Sequence, residues 1–127
     1  MGYLSIEKKW KVEFDDDFKA EFDCFPEEVR LAILEVARVL QGAGPGLGRP
    51  RVDTLNGSKH ANMKELRCDA DDGVWRVAFA FDPERKAVLL TAGDKSGVNQ
   101  KRFYKKLIKT ADARFDAHLK RLKGKDR

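Results

Sequence analysis

Large apolar residues alternate with charged ones from Trp10 to Phe14, the two-residue period of a strand with one buried face. Asp15, Asp16 and Asp17 end that alternation and are suited to cap a short helix carrying Phe18 and Phe22. A longer helix is predicted from about Pro26 to Gln41. Pro26 sits where the first turn needs no amide donor, and Glu27 and Glu28 face the positive end of the helix dipole. Val29, Ile33, Val36 and Leu40 recur three and four apart as a core-facing stripe, and Gly42 is the expected stop. Residues 42–50 are rich in glycine and proline, so they predict a connector around the edge of the core, with Leu47 tucked in and Arg49 and Arg51 outside. The connector lacks the Gly-Lys-Ser/Thr ending of a nucleotide phosphate loop.

Three strands are predicted beyond it, over Asn62–Cys68, Val74–Phe81 and Ala87–Thr91. The joints at 69–73 and 82–85 are short and rich in turn formers, as hairpins require. Val77, Phe79 and Phe81 share one face of their strand, leaving Arg76 with Ala78 and Ala80 on the other. Lys64 and Leu66 share a face opposite Glu65 and Arg67. Lys64 and Arg67 therefore meet at one site only if a bulge, a twist or an edge position intervenes. A helical tail is predicted from about Asn99 to Leu122, striped by Phe103, Leu107, Ala111, Phe115 and Leu119. Thr110 and Asp112 mark a candidate break within it, and 123–127 a frayed end.

The chain has 127 residues, 42% of them hydrophobic and 37% charged, enough for one core and one domain over 1–127. No apolar run is long enough to span a bilayer, and the first ten residues do not read as a signal peptide. Cys24 and Cys68 give no disulfide framework, and reduced thiols in a cytoplasm are the simpler reading. The net charge of +5 conceals an asymmetry: residues 1–28 sum to −5 and residues 98–127 to +8. Such a dipole steers a polyanion, and equally suits an acidic protein partner.

Cations concentrated on one small sheet suit a surface that grips a phosphodiester backbone, and cleavage of RNA without metal is one chemistry they allow. The 2′-hydroxyl then serves as nucleophile, and the protein must accept its proton, neutralise the phosphoryl oxygens and protonate the leaving 5′-oxygen. Arg76, then Arg67, are the candidates for the phosphoryl oxygens, because a guanidinium matches them in pairs. Lys64 or Lys95 is a candidate base if positive neighbours and burial lower its pKa. Tyr104 is a candidate proton donor or stacking surface. His60 has a suitable ordinary pKa but follows Asn56-Gly57 in a predicted loop. His118, beside the apolar stripe, reads as structural. Arg49, Arg51, Lys59, Arg102, Lys105 and Lys106 are candidates for contacting the RNA backbone. The histidines and cysteines lack zinc-site spacing, so neither metal nor cofactor is expected.

The ordered set Gly44–Pro50, Asp53–Ser58, Asn62–Arg67, Phe79–Pro83, Ala92–Gly97, Phe103-Tyr104, Ala111-Asp112 and His118-Leu119 resembles the RelE/ParE toxin superfamily, most closely its phage Gp49-like, HigB-type branch. The resemblance covers roughly residues 10–122. It implies an α+β fold: a small antiparallel-dominated mixed sheet of about four strands, two N-terminal helices and a C-terminal helical segment. It implies metal-independent cleavage of messenger RNA on the ribosome, with Arg76, Arg67, Lys64, Lys95 and Tyr104 at the family's catalytic positions. It further implies a HigA-like helix-turn-helix antitoxin as partner, with operator DNA bound only through that antitoxin. Ile108–Asp112 lacks the proline frequent in the branch, and Glu65 stands where a further lysine is expected. The alternatives are a ParE-like inhibitor of DNA gyrase that cuts nothing, and a non-catalytic RNA- or ribosome-binding protein.

Overall fold

A computed structural model describes residues 10–125. In chain order it contains β1 (Lys11–Phe14), α1 (Asp16–Phe22), α2 (Glu27–Ala43), β2 (Val52–Thr54), β3 (Lys64–Ala70), β4 (Gly73–Phe81), β5 (Lys86–Asp94) and α3 (Gln100–Lys125). The strands form one sheet in the order β1-β5-β4-β3-β2, with β1 parallel to β5 and every other pair antiparallel. This is the expected α+β architecture with one strand more than expected. The extra strand, β2, has only three residues, too few to carry a period, and pairs with β3 at the sheet edge.

Each face of the sheet builds its own core. Phe18, Phe22, Val29, Ile33 and Leu40 from α1 and α2 pack on Leu66, Val77, Phe79 and Leu89. On the other side Leu107, Ala111 and Phe115 of α3 pack on Met63, Ala78, Ala80, Val88 and Leu90. The alternation in β4 fits this split, since its small residues Ala78 and Ala80 let the long helix lie close while its aromatics fill the opposite layer.

Local chemistry fixes the ends of the elements. Asp15 caps α1, its carboxylate accepting from the Phe18 amide at 3.1 Å. Pro26 precedes α2 as its N-cap. The expected stop at Gly42 is displaced by two residues: the helix runs to Ala43, and Gly44 turns the chain with φ of 64°. A side chain there is doubly excluded, because a Cβ on Gly44 would sit 2.2 Å from Nε1 of Trp10. Leu47 packs against the core as expected, and Arg49 and Arg51 are exposed.

The candidate break near Thr110 is absent; α3 is one continuous helix. Asp112 instead holds the 58–60 loop, accepting from the Ser58 hydroxyl and the Lys59 amide. Further along, His118 Nε2 lies 2.7 Å from the buried carboxylate of Asp82, which also accepts from the Glu84 and Lys86 amides. The helix continues past Lys123, where fraying was expected; residues 126 and 127, like the N-terminal segment 1–9, lie outside the described residues.

Candidate active site

The β3–β4 register sets Arg67 directly across from Arg76, and strand alternation sends both side chains to the α3 face. Glu65, across from Ala78, and Asp69, across from Val74, point the same way. A bulge then recruits β5. Ala78 pairs with Thr91 but Phe79 pairs with Leu89, so Leu90 is an extra residue. Before the bulge Val88 faces α3; after it Thr91, Gly93 and then Lys95 do. Without that extra residue Lys95 would project with Leu89 into the opposite face, since a one-residue slip inverts a strand's sidedness.

The α3 helix delivers the fourth group. A Cβ on Gly93, across from Arg76, would lie 2.9 Å from the Phe103 ring, so the missing side chain admits the first turns of α3. Tyr104 follows, and its hydroxyl donates to Oε1 of Glu65 at 2.8 Å. Burial raises the Tyr104 pKa above the ordinary tyrosine range, and the bond to the Glu65 carboxylate raises it further. Lys95 Nζ lies 5.7 Å from the centre of the Tyr104 ring.

Arg76 is only 5% exposed. Its Nη1 donates to the carbonyl of Trp75 at 2.9 Å. Two carboxylates stand just out of hydrogen-bond reach, Glu65 at 3.7 Å from Nε and Asp69 at 3.8 Å from Nη1. Among the described residues the Nε–H has no acceptor. A buried guanidinium N–H without an acceptor is unfavourable, and an incoming oxyanion relieves that cost. Beside it lies an open groove of about 350 Å³ lined by Arg49, Pro50, Arg51, Arg67, Asp69 and Arg76. Asp53 restrains its outer arginines, at 2.7 Å from Arg49 and 3.9 Å from Arg67.

Arg67, Arg76, Lys95 and Tyr104 thus come together, while Lys64 and His60 stand apart. Lys64 points to the α2 face and donates to the Pro45 carbonyl at 3.1 Å; no bulge in β3 turns it round. His60 is half-buried, held by Asp116 at 2.8 Å and edge-on to Phe115. Asp116 is twelve residues beyond Tyr104, or about 18 Å along the helix. The same carboxylate pairs with Lys59, placing Lys59 at that far end too. Lys59 and His60 together hold the Asp116 carboxyl below the usual carboxylate range. Arg102, Lys105 and Lys106 are exposed on the first turns of α3, with no ion-pair partner among the described residues.

Glu65 is the participant that residue type alone hid. In the sequence it breaks a cationic cluster; in the fold it is 6% exposed and touches both Tyr104 and Arg76. The signal was its shared strand face with Arg67. No group of three or more His, Cys, Asp or Glu residues among the described residues has metal-holding geometry.

The family described as Phage derived protein Gp49-like matches residues 20–116. The chain belongs to the Gp49-like branch of the RelE/ParE toxin superfamily. Among relatives, the putative toxin HigB3 of Mycobacterium tuberculosis is 53% identical over 81 residues, covering 64% of this chain and 68% of that protein. The putative toxin HigB2 of the same organism is 46% identical over 88 residues, 68% of this chain. That match spans only 43% of HigB2, so the Gp49-like chain corresponds to less than half of that relative. Two solved structures share the fold. A chain of the archaeal RelE–RelB complex from Pyrococcus horikoshii OT3 has a TM-score of 0.50 at 17% identity, covering 71% of this chain and 99% of that one. A mutant of the E. coli toxin RelE in the free state has a TM-score of 0.52 at 12% identity, covering 79% and 94%. No helix among the described residues is long and apolar enough to cross a membrane.

Proposed function

We propose that this Gp49-like chain is the toxin of a type II toxin–antitoxin pair and cuts messenger RNA on translating ribosomes in the cytoplasm. The observation that carries this reading is the pairing of Arg67 with a buried Arg76 whose Nε–H lacks an acceptor, beside Tyr104 and Lys95 and open to an arginine-lined groove. In this reading the scissile phosphate enters with its non-bridging oxygens on Arg76 and Arg67, which neutralise charge as the phosphorane forms. Glu65, the one carboxylate buried in the cluster, accepts the 2′-hydroxyl proton. The O2′–P bond forms, the P–O5′ bond breaks, and a 2′,3′-cyclic phosphate remains. Once protonated, Glu65 no longer competes for the Tyr104 hydroxyl. Tyr104, kept neutral by its raised pKa, then donates its proton to the leaving 5′-oxygen, with Lys95 beside it stabilising the developing charge. No step requires a metal.

A HigA-like antitoxin with a helix-turn-helix domain is the proposed partner, and operator DNA is reached through it. The names of the M. tuberculosis relatives and the archaeal RelE–RelB pairing support that assignment.

Transcript end mapping during controlled expression tests the activity. New 5′ ends inside translated frames are expected with the native chain, and Arg76→Ala should reduce them by about 10²–10³-fold, the scale of losing one transition-state donor. Intact transcripts with the native chain, accompanied by inhibition of DNA supercoiling by purified protein, would replace this reading with the gyrase-inhibitor one.

A further inference from the structure

Three large apolar side chains stand exposed among the described residues: Leu31 at 58%, Leu34 at 45% and Val98 at 53%. The first two belong to α2. That helix buries Val29, Ile33, Ala37 and Leu40 on the sheet, and Leu31 and Leu34 lie on its outer side. By helix periodicity the two leucines share about a third of the circumference with Glu27, Glu28, Glu35 and Arg38, all exposed. None of those four charges has an ion-pair partner among the described residues. Arg30 turns inward, its Nε donating to the Phe25 carbonyl at 3.1 Å, and Arg38 stands a turn beyond Leu34. From Glu27 to Glu35 the outer face is therefore a leucine pair bordered by carboxylates.

Val98 lies across the molecule. With Phe103 it forms the apolar part of an open groove of about 480 Å³, whose other walls are Gly97, Asn99, Arg102 and Lys106. Lys101, Lys105 and Lys109 extend the same exposed side of α3, again with no ion-pair partner among the described residues. The two surfaces match in apolar content and oppose in charge, leucines facing a valine–phenylalanine groove and carboxylates facing cations. Neither surface suits a copy of itself, because like charges brought together repel. The α2 and α3 helices cover opposite faces of the sheet, so one chain cannot bring the two surfaces together. A second copy can.

We infer that a second copy of this chain docks the Leu31–Leu34 face of its α2 on the Val98 groove and the cationic side of α3. The leucines enter the groove, and Glu27, Glu28 and Glu35 approach Arg102, Lys105 and Lys106. The contact is heterologous: each copy in a pair still has one α2 face or one α3 face unoccupied, so association continues head to tail rather than stopping at two. It covers the cations beside Tyr104. Under the RNA-cleavage reading, on which only this consequence rests, the associated chain is silent and RNA competes with the second copy for one surface.

Sedimentation velocity of the full chain over a dilution series tests the contact. At low salt the average mass should rise with concentration past that of two chains. The dissociation constant should weaken about tenfold or more between about 0.05 M and about 0.5 M salt, as screening of exposed charges requires. Leu31→Gln with Leu34→Gln should stay monomeric at concentrations where the native chain associates. Two charge-reversed chains then decide the geometry. One carries Glu27→Lys, Glu28→Lys and Glu35→Lys; the other carries Lys101→Glu, Arg102→Glu, Lys105→Glu and Lys106→Glu. Each alone should be monomeric, with a thermal melt showing that it is folded, and a mixture should form complexes containing both in equal number. A native chain that is monomeric at every concentration overturns the inference and leaves the cleavage reading intact; a groove reserved for an acidic helix of another protein gives this result. Association that ignores salt and the leucine pair, or that persists in either reversed chain alone, also overturns it, since another surface is then responsible. Single-stranded RNA should return the native chain to monomeric complexes, and an assembly that persists with RNA bound overturns the placement of the contact on the α3 cations. Association in a chain that cuts no transcript keeps the contact while the cleavage reading falls.

Discussion

Glu65 and Arg76 carry opposite charges on one face of the sheet, each nearly buried, yet they stand 3.7 Å apart rather than in a hydrogen bond. Tyr104 takes the Glu65 oxygen instead, so the pair is held for an incoming group rather than closed on itself. Glu65→Gln keeps an acceptor for Tyr104 but removes the proton-accepting carboxylate. Cutting is expected to fall by at least about 10²-fold with the melting temperature little changed, because general-base catalysis is worth about 10²–10⁴. Transcript end counts beside a thermal melt check this; undiminished cutting by a folded Glu65→Gln chain would return the base role to Lys95. Cys68, across from Trp75 on the other face, makes a prediction of a different kind. Burial pushes its thiol from an ordinary 9.0 up to about 11. Between those values the unfolded chain has released the proton that the folded chain still holds, so stability falls as pH rises through that window. Denaturant melts at pH 8 and pH 11 should show the loss, and Cys68→Ala should make it smaller without removing it, since the raised pKa of Tyr104 acts in the same direction.

Elements with a long repeating pattern were legible in the sequence, and those made by a single residue were not. The stripe Val29, Ile33 and Leu40 gave α2, and the alternation around Val77 gave β4, because each repeats a buried position several times. β2 has no room for a repeat, and the Leu90 bulge is one residue among apolar neighbours, yet the bulge decides that Lys95 lies on the same side of the sheet as Arg76, near Tyr104. Likewise the pattern could state that Lys64 and Arg67 oppose each other, but not which of them faces the site; α3 lying over Ala78 and Ala80 decides in favour of Arg67. The end of α2 shows the same limit, since Gly42 and Gly44 look alike until Trp10 is packed on the second. Gly44→Ala meets both the left-handed φ and the Trp10 ring, so it should destabilise the fold by at least about 2 kcal/mol, while Gly42→Ala, with open space around it, should be neutral or stabilising by up to about 1 kcal/mol. Paired urea melts of the two variants discriminate between them.

Across the whole molecule, charge is sorted by what each face does. The exposed face of α2 is mainly acidic, with Glu27, Glu28 and Glu35 beside the single exposed cation Arg38, whereas the first turns of α3 carry Lys101, Arg102, Lys105 and Lys106 beside the proposed site. The second half of α3 turns several of its charges inward: Arg114 pairs with Glu21 at 2.6 Å, Asp116 with His60 and Lys59, and His118 with Asp82. The cations near Tyr104 have no such partner among the described residues and are left to displace counterions from RNA. Affinity for a single-stranded RNA, followed by fluorescence anisotropy across a salt series, should fall linearly on logarithmic axes. Lys105→Ala with Lys106→Ala should reduce the slope by about 0.7 for each phosphate no longer neutralised. Lys59→Ala should leave it unchanged, since that ammonium is already neutralised by Asp116 at the far end of the helix. Glu27→Gln with Glu28→Gln, on the opposite face, should change affinity weakly and the slope not at all, because a distant charge acts through the screened field rather than by touching the RNA. A slope that responded equally to all three changes would mean that net charge, and not the face built around Tyr104, is what holds the RNA.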